Sequence, residues 1–379
     1  MKIAKLVAYP VSFPVPSELQ VTLGIGRAVK RDAVLVKVET DDGLVGWGEA
    51  HAGRAPGAVA LLANTTLKAL VEGMDATDVV GVWDRIYRMQ LASHGMGAAC
   101  AMAMSGIDLA LWDVRGKAVG WPLYRLLGGR SHPVIAYAGG ASLGHQPVES
   151  LVTEAQAIVE QGYRAVKLRL GDTPRADAAR VQAVRKALGD EVDILTDANA
   201  AYSLNDARRV MPVLDECGCG WLEEPFPPHD HRRYREARSF GRTPLAAGEN
   251  HYTRFEFHRL IEDGCVTVIQ PDMSKTGGLT ETLRIAAFAS AWKLPVNPHT
   301  TLTGLNMAAT LHLLCSIDNA GYFESDISRH NPIRDDLCDW KAEVDADGCA
   351  RPPEGPGLGV SIDESQLAEF PLIDGPGYV

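Results

Sequence analysis

The sequence lacks the features that would place it in a membrane, in a secreted class or on nucleic acid. No stretch approaches the ~18 consecutive apolar residues of a membrane span. The first residues, MKIAKLVAYPVSF, have neither the apolar core nor the cleavage site of a signal peptide, so a cytoplasmic location is expected. Positive charge is scarce: 37 Lys and Arg against 48 Asp and Glu leave a net charge of −11. Phosphate contacts need a basic face, so neither nucleic acid nor a membrane is expected as a partner. The seven cysteines are odd in number and scattered. Cys217 and Cys219 are too close and too alone to mark a zinc site, and reduced thiols are expected. No internal repeat is visible beyond a strand–helix period.

What is present is an ordinary globular composition in a chain of 379 residues, long enough for two domains and a barrel of about 250 residues. Residues 1–50 alternate apolar and polar. AVLVKVET and LVGWGEA read as a hairpin about Asp42-Gly43. Residues 58–127 repeat apolar side chains at three and four. ACAMAMSGIDLALWDVRGKAVG is apolar almost all round, which predicts a helix buried between layers. Residues 1–128 are therefore read as an α+β domain. From Val134 strands and helices alternate, with strands expected near 134–139, 163–169, 193–197, 219–223, 244–248, 266–270, 294–297 and 320–324. Eight such steps over 129–345 predict an α/β parallel barrel with a poorly marked eighth helix. The Pro- and Gly-rich segment 346–379 is expected to return to the first domain.

Charged residues close most of the barrel strands. Asp197, Glu223, Glu249, Asp272, His299 and Glu324 follow one another at intervals of 23 to 27 residues. The C-terminal ends of barrel strands are where (β/α)₈ enzymes hold their catalytic groups, so the pattern predicts an enzyme. Asp197, Glu223 and Glu249 converging on one point would repel unless a cation lay between them, and hard oxygen ligands suit Mg²⁺. Glu224 beside Glu223 leaves the choice between the two open. Lys167 and Arg169 are two apart on one strand and share a face directed into the barrel mouth. A buried Lys beside cations has a lowered pKa and can act as a base. Arg169 holds its proton and is better suited to gripping a carboxylate. Asp272 and His299, from neighbouring strands, fall within hydrogen-bond reach, which makes His299 a general acid or base. Glu324 is expected opposite the metal.

At this point the chain resembles a known family. GVWDRIYRMQ, SGIDLALWDVRGKAVGWPLYRLLGG, VKLR, TDAN, WLEEP, GEN, QPDMSKTGG, NPHT and PEGPGLGV, in this order and over nearly the whole chain, resemble the enolase superfamily and its mandelate-racemase-like subgroup. The resemblance implies an α+β cap over a modified (β/α)₇β barrel, with Asp197, Glu223 and Glu249 as Mg²⁺ ligands. The first Glu of WLEEP is the matching one. It also implies a His299–Asp272 dyad, with Glu324 as the hydrogen-bonding carboxylate of the last strand. The muconate-lactonising subgroup carries a Lys where this chain has Asp272, and Lys275 lies three residues too late to replace it. The implied chemistry is removal of the proton α to a carboxylate and stabilisation of the resulting enediolate. The substrate is then a small carboxylate, and a homo-oligomer is expected.

One departure directs the choice within the family. The usual Lys-x-Lys of the second strand reads here Lys167-Leu168-Arg169. With Arg where the second base belongs, a reaction that needs His299 alone is expected: dehydration of an acid sugar to a 2-keto-3-deoxy acid. A racemase, epimerase or lactone cycloisomerase using the same enediolate is the alternative. Substrate contacts are expected from Asn199 and from cap loops 17–31 and 51–57, where Arg27, Lys30, Arg31, His51 and Arg54 are the available polar groups.

Overall fold

The structure is a computed structural model and describes residues 1–379 except His94 and Thr301. The chain begins with a three-stranded antiparallel sheet, β1 (Ile3–Pro14), β2 (Lys30–Thr40) and β3 (Val45–His51), with β2 in the middle. Strand β1 runs through Pro10, which pairs with Val34. An edge strand tolerates this, because the missing N–H can face away from the ladder.

Helix α1 (Pro56–Leu62) and the long α3 (Ala98–Val119) pack on the sheet, and α2 (Val79–Ile86) packs on α3. Side chains on every face of α3 are buried because it is sandwiched between β3 and the barrel helix α4 (Gly278–Ala291). Its approach to β3 depends on glycine. A Cβ on Gly46 would lie 2.1 Å from the Ala110 carbonyl oxygen, and one on Gly48 2.2 Å from that of Gly106. GWGEA and SGIDLA are thus two halves of one backbone-to-backbone contact.

The barrel strands are β4 (Val134–Gly139), β5 (Ala165–Arg169), β6 (Asp193–Asp197), β7 (Leu222–Glu223), β8 (Leu245–Ala247), β9 (Val268–Ile269) and β10 (Phe323–Asp326). All pair in parallel in sequence order, and β10 returns to pair with β4. The seventh position of the ring is one residue, Val296, bridging Ile269 and Ala320. The expected strands at 219–223, 244–248, 266–270 and 294–297 are therefore shorter than read. Single backbone bonds continue them, such as Leu222 N–H to Pro244 O at 2.8 Å and Thr267 N–H to Leu245 O at 3.0 Å. Helices follow every strand position but the last in regular form. After β10 comes a four-residue turn of helix (Pro332–Asp335), which accounts for the weak eighth helical signal.

Tyr137, Trp221 and Tyr322 meet edge to face inside the barrel, with ring centroids 5.6 to 6.1 Å apart. They form a floor beneath the strand ends. The C-terminal segment lies against the cap: Leu358 N–H donates to Asp113 at 2.8 Å, and Arg27 and Val379 exchange backbone hydrogen bonds at 2.8 and 3.0 Å.

Candidate active site

The parallel register assembles the site. Arg169 pairs with Asp197 and Asp197 with Glu223, so one row of three neighbouring strands carries all three charges at their C-terminal ends. Glu324 is level with Tyr137 on the other side of the ring. Asp272 and His299 come from the loops beyond β9 and Val296.

Lys167 is fully buried. Its Nζ donates to Glu223 Oε1 and Oε2 at 3.0 and 3.1 Å, sits 2.9 Å from Glu324 Oε1 and 3.8 Å from Asp197 Oδ2, and lies over the Tyr137 ring at 5.3 Å. This corrects the expectation of a lowered pKa. Burial does push the ammonium down, but Glu223, Glu324 and Asp197 outweigh burial and Arg169 together and raise it above its ordinary value. Lys167 is thus held as a cation between Glu223 and Glu324.

Glu324 is also a charged partner and not a neutral donor. Burial pushes its carboxyl up, yet Lys167, His299 and Arg169 carry it below the usual value. Arg169 donates to Asp197 Oδ2 and, through Nη2, to the Gly140 carbonyl, leaving Nε without a partner.

The dyad is formed. His299 Nδ1 and Asp272 Oδ2 are 2.7 Å apart. The other carboxylate oxygen accepts from Ser274 N–H at 2.8 Å, Ser274 Oγ at 2.6 Å and Asn306 Nδ2 at 3.2 Å. With Nδ1 as donor to Asp272, Nε2 is the nitrogen left for other partners. It lies 3.1 Å from Glu249 Oε2. Burial pushes the imidazole down, but Glu249, Glu324 and Asp272 together raise it above its ordinary value. Glu249, conversely, is held well below the carboxylate range: burial is outweighed by His299 and Lys275.

A cavity of about 450 Å³ opens above these groups. Arg169, Glu249, His299 and Asn199 line it, as do His51, Arg54, Lys30 and Arg31 from the cap. Asp197, Glu223, Asp272, Glu324 and Lys167 are buried and are not part of its lining. Among the cap residues, Arg54 stacks on Tyr378 at 5.1 Å. Arg31 pairs with Asp326 at 3.2 Å, and Lys30 is held by Asp32 at 3.0 Å and the Ile373 carbonyl at 2.6 Å. His51 is pushed down to about 3 by burial and Lys275, so it faces the cavity uncharged. Arg27 does not belong here. It is exposed and outside the lining, because the short strand that carries it turns the side chain to solvent while its backbone pairs with Val379.

Lys275, which the sequence sets aside as a base, also lines the cavity, as do Asn250, Tyr252 and Tyr378, which sequence reasoning does not single out. Lys275 Nζ is 3.4 Å from Glu249. Its signal was available: it lies three residues after Asp272 in QPDMSK, and the tight turn there returns it to the site. Tyr378 had none, since only the folded tail brings it near the barrel.

The cap region 8–128 matches the mandelate racemase/muconate lactonizing enzyme N-terminal domain, and residues 150–366 match the enolase C-terminal domain-like family. The chain belongs to the enolase superfamily. Within the superfamily it is similar to an arabinonate dehydratase of Saccharolobus solfataricus, 31% identical over 89% of this chain and 90% of that one. A solved enolase-superfamily member from Polaromonas sp. JS666 is 56% identical, with a TM-score of 0.97 over 100% of both chains. A racemase from Streptomyces coelicolor A3(2) with bound magnesium is 29% identical, with a TM-score of 0.88 over 98% of this chain and 100% of that one.

The residues at the strand ends fit a divalent cation of this superfamily. The donors are all oxygen, as a hard cation requires. Glu223 is pushed up to about 7 by burial and, against Lys167, by the neighbouring carboxylates. Glu224 is raised further by burial, Glu249 and Asp197. Glu224 Oε1 and Asn199 Oδ1 are buried without hydrogen-bond partners at residues that line the cavity. Asn199 and Glu224 also hold left-handed backbone conformations, φ 45° and 36°, a strain that collects at functional sites. Asp197, Glu223 and Glu249 are not drawn within a common ligand distance, but mutually repelling carboxylates and unsatisfied oxygens are the environment that a bound cation relieves.

Proposed function

We propose that this enzyme is a Mg²⁺-dependent acid-sugar dehydratase that converts an aldonate or aldarate to a 2-keto-3-deoxy acid. The observation that carries the reading is the pairing of one proton-transfer group with one locked cation. His299 is oriented by Asp272, whereas Arg169, where a second base would belong, is tied to Asp197 and the Gly140 carbonyl. Arg does not release its proton at working pH, which leaves His299 to act alone.

Asp197, Glu223 and Glu249 would hold Mg²⁺, which supplies the Lewis-acid charge that lowers the cost of the dianion developing on the substrate carboxylate. Lys167 adds a fixed positive charge at the same end, and Arg169 helps hold the carboxylate. His299 Nε2 takes the α-proton. The C–O bond at the β-carbon then breaks, and the same nitrogen returns the proton to the departing hydroxyl, so that water leaves. The remaining enol becomes the 2-keto acid. One imidazole can serve both steps when the proton and the hydroxyl leave from the same side. Asn199, His51 and Arg54 are proposed as contacts for the substrate hydroxyls.

The test is a semicarbazide assay for 2-keto acid over a library of mono- and diacid sugars, with Mg²⁺ and with chelator. A 2-keto product that needs Mg²⁺ and is abolished in His299→Asn supports the reading. Exchange of the α-proton with solvent deuterium without keto-acid formation would move the assignment to a racemase or cycloisomerase. Added Mg²⁺ should also raise the unfolding free energy, by about 2.7 kcal/mol at a hundred times its Kd. No such shift would remove the metal from the proposal.

A further inference from the structure

Glu49 is a carboxyl group of the cap that the reaction above leaves unused. It lies on β3 and is 1% exposed. Its Oε2 accepts a hydrogen bond from the Thr303 hydroxyl. That hydroxyl in turn accepts from Leu305 N–H at 3.1 Å and so caps α5 (Gly304–Leu314). One residue beyond Leu305, Asn306 donates to Asp272 Oδ1 at 3.2 Å. The same cap strand makes a second tether: His51 N–H donates to the Ser274 carbonyl at 2.9 Å, and Ser274 supplies the other two hydrogen bonds to Asp272 Oδ1. Among the described residues, the donors to that oxygen are thus tied to β3, Ser274 directly and Asn306 through Thr303. Asp272, Arg31 and Cys338 are the titratable or charged groups that feel Glu49. Burial, with a contribution from Asp272, pushes its carboxyl up to about 8. At neutral pH it therefore adds little charge beside the dyad and acts through its hydrogen bond.

We propose that Glu49 is a positioning residue for the His299–Asp272 pair, holding the 302–306 segment so that Asn306 fixes the carboxylate that orients the imidazole. A consequence is that the dyad is set only when the cap is seated on the barrel. The proposal rests on the dehydratase reading for its kinetic arm alone.

The experiment uses the full-length, Mg²⁺-loaded protein as wild type, E49A, E49Q and T303V. Two readouts are taken: the low-field proton resonance of the His299 Nδ1–H hydrogen bond, and kcat against KM for dehydration. E49A and T303V are expected to shift or broaden the resonance. They should lower kcat roughly 10- to 100-fold with KM within about threefold, as a small misplacement of a catalytic group does. E49Q, whose amide oxygen still accepts from Thr303, should restore both. A folded E49A or T303V with the wild-type resonance and kcat overturns the proposal, and so does an E49Q as impaired as E49A. If E49A does not fold, T303V decides. If the wild type dehydrates no acid sugar, the functional reading fails and the resonance alone decides the role of Glu49.

Discussion

Replacing Asp272 by Asn tests the dyad through its tautomer. The carboxylate presents Oδ1 to three donors, Ser274 N–H, Ser274 Oγ and Asn306 Nδ2, and Oδ2 to His299 Nδ1 at 2.7 Å. An amide must turn one end into a donor. Facing three donors with its NH₂ would forfeit all three bonds, so the amide oxygen stays on that side and the NH₂ meets His299. Nδ1 must then accept, and the ring proton moves to Nε2. That is the nitrogen meant to receive the substrate proton. The size of loss known for amidating the carboxylate behind a catalytic histidine is about 10⁴-fold in kcat, or about 5.5 kcal/mol of transition-state stabilisation. Folding should suffer less, by about 1–3 kcal/mol, because charge-assisted bonds become neutral ones. The semicarbazide assay gives kcat, and urea unfolding gives the stability. A folded Asp272→Asn enzyme with kcat within about tenfold of wild type would refute the assignment of His299 as the proton-transfer group.

Further consequences can be measured directly. Lys167→Met leaves Glu223 and Glu324 buried without their shared cation, and urea unfolding should show a loss of about 3–5 kcal/mol; wild-type stability would mean that Lys167 is neutral in the fold. Arg54→Ala should raise KM about tenfold, the size of one lost charged hydrogen bond, whereas Arg27→Ala should leave KM unchanged because Arg27 is outside the cavity; equal effects would refute this division. Asp326 accepts from Leu302 N–H at 3.0 Å and Ser328 N–H at 2.8 Å and pairs with Arg31. Burial pushes its carboxyl up, but Arg31, Arg334 and Ser328 hold it well below the usual range. A depressed carboxyl stabilises above its unfolded pKa of about 3.9 and loses that contribution as pH falls toward the folded value. The stability gap between wild type and Asp326→Asn should therefore be full at pH 6 and shrink as pH drops below about 4; a gap independent of pH would exclude the ionised pair as its source.

By itself the sequence determined the order of elements and the strand-end charges. The βα period and the one-sided burial of helices are local properties, written into apolar spacing at two and at 3.6 residues. Asp197, Glu223, Glu249, Asp272, His299 and Glu324 were legible because each lies at the end of such a run. The tertiary structure decided what each charge does. Lys167 reads in sequence as a lone cation beside Arg169, but the ring brings Glu223 and Glu324 from distant strands onto its ammonium, and their field reverses the direction of its pKa. Arg27 and Arg54 are alike in sequence, yet only Arg54 is turned into the cavity, by a stacking partner 324 residues further on. Glu49 reads as one more polar residue in a hairpin until the cap docks on the barrel and puts it one hydrogen bond from the loop behind the dyad. Burial, field and orientation are sums over neighbours from the whole chain, and local spacing carries no record of them.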